Sequence, residues 1–137
     1  MTAFLDASIV LAAADRADLN HGRAAAWFRT IDQPLAISAT TLGELDVVLE
    51  RALGAEASEA FLAAVDSGAV DVVAPTRHDL RRASQLRRAA GDQRPSLADA
   101  LTVAIAERVG ATVIATLDRR PYAIMRPHAR SALVLEP

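Results

Sequence analysis

Apolar residues in this chain fall into two kinds of run. Short, largely uninterrupted ones occur at Ala3-Phe4-Leu5, Leu35-Ala36-Ile37, Val70-Asp71-Val72-Val73, Thr112-Val113-Ile114-Ala115-Thr116 and Ala132-Leu133-Val134-Leu135. These read as strands. Between them, apolar residues recur every three or four positions and predict helices over residues 8–14, 18–31, 40–53, 55–67, 76–90 and 96–109. The helix over 96–109 is the clearest, with Leu97, Leu101, Ala104, Ile105 and Val109 along one stripe. Gly54, Gly68 and Gly110 stand where three of the helices should stop. The strands lack the in–out alternation of a half-exposed sheet, so both faces should be covered. Strands alternating with helices give the same answer: an α/β protein, three layers deep as α/β/α, around a mostly parallel sheet of about five strands. The chain has 137 residues and no repeat or linker, so a single domain over residues 1–137 is expected.

Composition changes this picture only in part. Apolar residues reach 52%, enough for a core, but aromatics are 4%, so the core must be aliphatic. The absence of cysteine removes disulfides, thiolate metal sites and a cysteine nucleophile together, and fits a cytoplasmic protein. The opening residues lack the basic and apolar regions of a signal peptide, and no apolar run is long enough to span a membrane. The net charge of −2 does not advertise nucleic acid. All 15 basic residues are arginine, which excludes chemistry that needs a lysine and favours bidentate contact with phosphate.

Four acids carry the candidate chemistry. Ligands of open parallel sheets bind beyond the carboxyl ends of the strands. Asp6 ends the first strand, and Asp118 follows the fourth. Glu44 and Asp99 fall in the first turns of helices that begin at the same edge. Each has a plainer explanation. Asp6 suits a helix N-cap, Thr41-Leu42-Gly43-Glu44 and Ser96-Leu97-Ala98-Asp99 match capping boxes, and Asp118 suits a turn. Taken together at one edge, carboxylates repel and call for a cation. Oxygen donors without cysteine favour Mg²⁺ or Mn²⁺, and the chemistry that suits such an ion is phosphodiester hydrolysis.

The residues resemble the PIN-domain ribonucleases, and the VapC-type toxins of bacterial toxin–antitoxin pairs in particular. Phe4-Leu5-Asp6-Ala7-Ser8-Ile9-Val10-Leu11 is similar to the first family motif, and Thr41-Leu42-Gly43-Glu44-Leu45 to the second. Ser96-Leu97-Ala98-Asp99-Ala100-Leu101, on through Ala104, resembles the third. Ala115-Thr116-Leu117-Asp118-Arg119-Arg120 resembles the fourth, and Met125-Arg126-Pro127 looks like the common VapC tail. The resemblance implies a metal-dependent endoribonuclease toxin that inhibits translation or growth. It also implies a homodimer and a cognate VapB-type antitoxin that blocks the site. Within it, Asp6 and Asp99 are the principal metal ligands. Glu44 and Asp118 complete the acidic pocket, directly or through water, and Ser8 and Thr116 support the metal shell. Arg119 and Arg120, beside Asp118, are candidates for RNA contact.

The rival readings are weaker. A phosphoacceptor receiver needs a lysine and an acceptor aspartate ending the third strand; here that strand runs into Ala74-Pro75-Thr76. A haloacid-dehalogenase-like phosphatase needs Asp-x-Asp after the first strand, and Ser8 holds that place. A catalytically silent PIN fold, serving for binding or assembly, would be marked by loss of the acids, and all four are present. Arg81, Arg82, Arg87 and Arg88 make one helix basic, with Arg94 in the loop beyond. They suit a solvated face first, and a phosphate track along bound RNA second. His21, His78 and His128 have no ligand spacing. Apolar positions over residues 40–67 suit either core packing or an antitoxin groove.

Overall fold

The computed structural model describes residues 2–137. Its elements run β1 (Ala3–Leu5), α1 (Ala7–Ala14), α2 (His21–Thr30), β2 (Leu35–Ser38), α3 (Ala39–Leu53) and α4 (Ala55–Asp66). They continue with β3 (Val70–Val73), α5 (Arg77–Ala89), α6 (Leu97–Val109), β4 (Val113–Ala115), α7 (Arg120–Met125) and β5 (Val134–Glu136). The five strands form one sheet in the order β3-β2-β1-β4-β5, and every pairing is parallel. The expected three-layer α/β/α architecture is therefore present, with a sheet that is wholly rather than mostly parallel.

Alternate side chains of the strands divide the core. Ala3, Leu5, Ile37, Val70, Val113 and Ala115 pack with residues of α1 to α4, among them Ile9, Trp27, Leu45 and Leu49. From the opposite face Phe4 and Ala36 meet Ile105, Ala106 and Ala111, while Ile114 and Leu135 meet Leu86, Leu101, Tyr122 and Met125. Burying one such aliphatic side chain stabilises the fold by about 1.5–3 kcal/mol, so runs with no polar interruption are what a doubly covered sheet requires.

The structure departs locally from expectation at four places. Helix α3 starts at Ala39, not at residue 40, because Ser38 caps it by accepting from the Thr40 amide at 3.3 Å. Thr41 is thus not an N-cap, and the capping box with Glu44 does not form; Glu44 lies in the second turn. Residues 18–20 are a turn rather than helix, held by the Asn20 amide donating to Asp18 Oδ1 at 2.7 Å. The final strand lies at Val134–Glu136, displaced from the apolar run at 132–135, and α7 is an additional helix of six residues. At the C-terminal end of α6, Gly110 adopts φ 75°, the left-handed turn expected of it.

The chain builds outward from β1 to β2 and β3, then returns to place β4 on the other side of β1. The carboxyl ends of β1 and β4 therefore flank the topological switch point, where open α/β sheets form their binding crevice.

Candidate active site

Asp6 leaves β1 at that switch point. Its amide donates to the Ala115 carbonyl at 3.0 Å, continuing the β1–β4 ladder by one residue. Its side chain caps α1, accepting from the Ser8 amide at 3.2 Å. The capping explanation is therefore true, and incomplete. Asp6 Oδ2 also accepts from Ser8 Oγ at 2.5 Å and from Thr116 Oγ1 at 3.0 Å. Backbone amides direct those two protons inward: Leu117 N donates to Ser8 Oγ at 2.9 Å, and Asp118 N donates to Thr116 Oγ1 at 3.0 Å. A hydroxyl that accepts from an amide turns its own proton to the strongest acceptor nearby, here a carboxylate.

The other oxygen of Asp6 faces a residue that no motif marks. Tyr122, in α7, donates from its hydroxyl to Asp6 Oδ1 at 2.8 Å and lies 3.2 Å from Asp99 Oδ1. Its side chain is fully buried. Burial, followed by the charges of Asp6 and Asp99, pushes its phenol well above the ordinary range, so it remains a donor. Nothing in the sequence but its being the one tyrosine of an aromatic-poor chain pointed to it.

Asp99 comes from the first turn of α6, where the positive end of the helix favours an anion. Ser96 caps that helix by accepting from the Asp99 amide at 3.1 Å. The reciprocal half of a capping box is not made; the Asp99 side chain turns to Tyr122 instead. Burial, the charge of Asp6 and, to a lesser extent, the charge of Asp118 raise the Asp99 carboxyl to about 6. Asp99 and Asp118 line one cleft of about 400 Å³ with Asp92, Arg94, Pro95 and Arg120.

The other candidates are less uniform. Arg120 lines the cleft, whereas Arg119 donates to the carbonyls of Leu135 and Pro137, across β5. Glu44 is exposed and has no hydrogen bond to the other acids among the described residues. It lies three residues beyond Thr41, on the same side of α3. Thr41 Oγ1 is 3.4 Å from Thr102 Oγ1, and Thr102 is three residues beyond Asp99 on α6. Glu44 thus belongs to the part of α3 that crosses α6.

The donors suit a hard cation. Oδ2 of Asp6 is taken by three protein donors, while Asp6 Oδ1 and both oxygens of Asp99 keep free lone pairs. The Asp99 carboxyl is raised by burial first, and by the negative charges of Asp6 and Asp118 after it. Among the described residues, no three His, Cys, Asp or Glu side chains converge tightly enough to hold an ion unaided.

Comparison with known proteins agrees with this geometry. The PIN domain family model matches residues 3–126. The chain belongs to the PIN-domain family. It is 29% identical to ribonuclease VapC26 of Mycobacterium tuberculosis over 123 residues, covering 90% of this chain and 91% of that protein. The fold superposes on that of M. tuberculosis VapC20, a sarcin–ricin loop cleaving toxin, with TM-score 0.81 and 25% identity, covering 88% and 93% of the two chains. It also matches VapBC2 of Rickettsia felis bound to promoter DNA, with TM-score 0.69, 17% identity and coverage of 99% and 98%; that likeness concerns the fold alone. The resemblance to VapC-type PIN proteins read from the four motifs is borne out by these relatives.

Proposed function

We propose that this PIN-domain protein is a Mg²⁺- or Mn²⁺-dependent endoribonuclease, acting as the toxin of a toxin–antitoxin pair in the cytoplasm and inhibiting translation or growth. The observation that carries the proposal is the Asp6–Asp99 carboxylate pair at the switch point, joined through Tyr122. The ribonuclease name of the curated relative and the RNA-cleaving description of VapC20 support the same reading.

In this reading Asp6 and Asp99 hold the ion, and Glu44 and Asp118 complete the acidic pocket, directly or through water. When bound, such an ion supplies Lewis acidity, activating water and neutralising charge on the phosphate. The chain's own residues do the rest. Ser8 and Thr116 fix Oδ2 of Asp6, leaving Oδ1 turned toward Asp99. Arg120 and Arg94 line the cleft and offer forked donors to the phosphates either side of the scissile bond. Arg119 reaches RNA only by giving up its carbonyl partners, so its contribution to binding is the smaller of the pair.

The antitoxin is assigned to a second surface. An apolar groove of about 490 Å³ runs between α1, α2, α3 and α4, lined by residues that include Val10, Phe28, Leu49, Ala60 and Phe61. An amphipathic segment of a VapB-type partner fits it. Solved relatives that are toxin–antitoxin complexes, among them VapBC-1 of Haemophilus influenzae, are consistent with such a partner. Homodimer formation is part of the same proposal. Among the described residues no helix is long and apolar enough to cross a membrane.

The test is cleavage of RNA by purified protein with Mg²⁺ or Mn²⁺, beside Asp6→Asn and Asp99→Asn, which remove charge at nearly constant volume. Cleavage should require the metal and should be lost in both variants. Equal cleavage by wild type and by both folded variants would sink the carboxylate mechanism. RNA binding without cleavage in all three would favour the silent binding module.

A further inference from the structure

Tyr122 has no part in the chemistry assigned above, yet it is the one side chain among the described residues bonded to both principal acids. Its ring packs with Leu86, Leu101, Ile114 and Met125, a role a phenylalanine would fill as well. The hydroxyl needs its own reason, because a fully buried polar group is costly unless it is bonded, and its partners are the two carboxylates. The other donors to Asp6 all grip Oδ2; the hydroxyl of Tyr122 grips Oδ1. The three residues come from separate elements: Asp6 follows β1, Asp99 is in α6 and Tyr122 in α7. Two like charges at the ends of independent elements repel, and no other protein bond ties the Asp99 carboxylate to Asp6 in the described structure.

We propose that Tyr122 is a positioning residue for cation binding: its hydroxyl sets the mutual placement of Asp6 and Asp99 so that Asp6 Oδ1 and the free oxygens of Asp99 address one ion. This rests on the metal reading of the site given above. The single hydroxyl proton is shared between the two Oδ1 atoms, nearer Asp6 at 2.8 Å than Asp99 at 3.2 Å, and leaves their other lone pairs available, so it orients the ligands without blocking them. Groups that orient metal ligands in this way commonly contribute about 10–100-fold to metal affinity.

Calorimetric titration of Mn²⁺ into wild type, Tyr122→Phe and Asp99→Asn separates the two ideas. Wild type should bind, Asp99→Asn should bind far more weakly, and Tyr122→Phe should lose about 10–100-fold in affinity while keeping its helical circular dichroism. If Tyr122→Phe binds as wild type does while Asp99→Asn does not, the positioning role is overturned and the metal site stands. If Asp99→Asn binds as wild type does, the metal reading itself fails and takes the inference with it. A second measurement needs no variant at Tyr122. Because this is the chain's single tyrosine, a ¹³Cζ-tyrosine label gives one resonance. Added Mg²⁺ should move that resonance in wild type and leave it in place in Asp99→Asn. A resonance indifferent to saturating Mg²⁺ in wild type would equally overturn the proposal.

Discussion

At the residue scale, the two principal acids are the same chemical group in different surroundings. Asp6 is held by Ser8, Thr116 and Tyr122, while the Asp99 carboxylate is desolvated by burial, has Ser96 and Tyr122 beside it and feels the charges of Asp6 and Asp118. That difference has a pH signature. The Asp99 carboxyl is raised from 3.8 to about 6, so the folded protein binds its proton more tightly than the unfolded chain does. Linkage then sets the sign: the stabilisation is fully present below about pH 3.8 and is lost as pH rises through about 6. In chelator, the stability of wild type relative to Asp99→Asn should therefore fall between pH 4 and 7, as read by urea unfolding across that range. A flat difference would refute the assignment. Metal should act oppositely, since it binds the deprotonated form: Mn²⁺ affinity should climb to about pH 6 and then level off. Tyr122 and Glu44 mark what a sequence hides at this scale. Tyr122 acquires its role only when α7 folds against α6, a juxtaposition without local signal. Glu44 was misread locally because Ser38, Thr40 and Thr41 all qualify as caps within four residues, and only the end of β2 decides among them.

At the scale of elements, the arginine-rich helix α5 was ambiguous in sequence between a solvated face and a phosphate track, and the structure divides its arginines. Arg82 pairs with Glu107 of α6 through Nε at 2.8 Å and Nη2 at 3.0 Å, and it also donates to the His128 carbonyl. Arg87 donates to the Pro95 carbonyl at 3.0 Å, and so braces the loop that borders the cleft. A capping box forms here between Thr76 and Asp79, at a Thr-x-x-Asp of α5. Asp79 is fully buried and also takes Arg108 of α6 at 2.9 Å. Burial alone pushes its carboxyl up, but the bonds from Arg108 and Thr76 outweigh that and hold it below the ordinary value. Its contribution is therefore present above about pH 4 and lost on acidification. Arg108→Ala would leave the buried carboxylate with its cap bonds only. Because Arg108 is itself exposed and water can reach the pair, the expected loss of stability is about 1–3 kcal/mol, measured by urea unfolding at neutral pH. A loss no larger than that of an exposed-site control such as Arg81→Ala would show that the pair does not hold α5 to α6. The central strands β1, β2 and β4, by contrast, were legible, because a doubly covered parallel sheet demands unbroken apolar runs; the edge strands are half exposed, β3 carrying Asp71 and β5 displaced from its apolar run. Helix α7 was not: six residues beginning Arg120-Pro121 are too few to display a helical period.

At the scale of the whole molecule, the order of strands decides which surfaces belong together. The reversal between β3 and β4 puts the ends of β1 and β4 side by side, and so brings Asp6 and Thr116 into contact across 110 residues of chain. The sequence announced that edge through its alternating elements, but not the strand order that makes β1 central. The same topology separates the acidic cleft, lined by residues of α6, α7 and the loop before α6, from the apolar groove enclosed by α1 to α4. The two share no lining residue, so they should respond to different substitutions. Ala60 is exposed on the groove wall in α4, a helix whose one buried residue is Ser58, and a longer polar side chain there can project without displacing core. Ala60→Glu should place a charge on an apolar docking surface and weaken a bound antitoxin segment by about 10-fold or more, because an uncompensated charge would have to be desolvated. Cleavage of RNA and affinity for Mn²⁺ should remain at wild-type levels. Asp99→Asn should do the reverse, losing cleavage while still capturing the antitoxin segment. Measuring both variants for both properties is a complete cross. If Ala60→Glu impaired cleavage as much as docking, the groove and the cleft would be one coupled site. If neither variant affected docking, the apolar groove would not be where the partner sits.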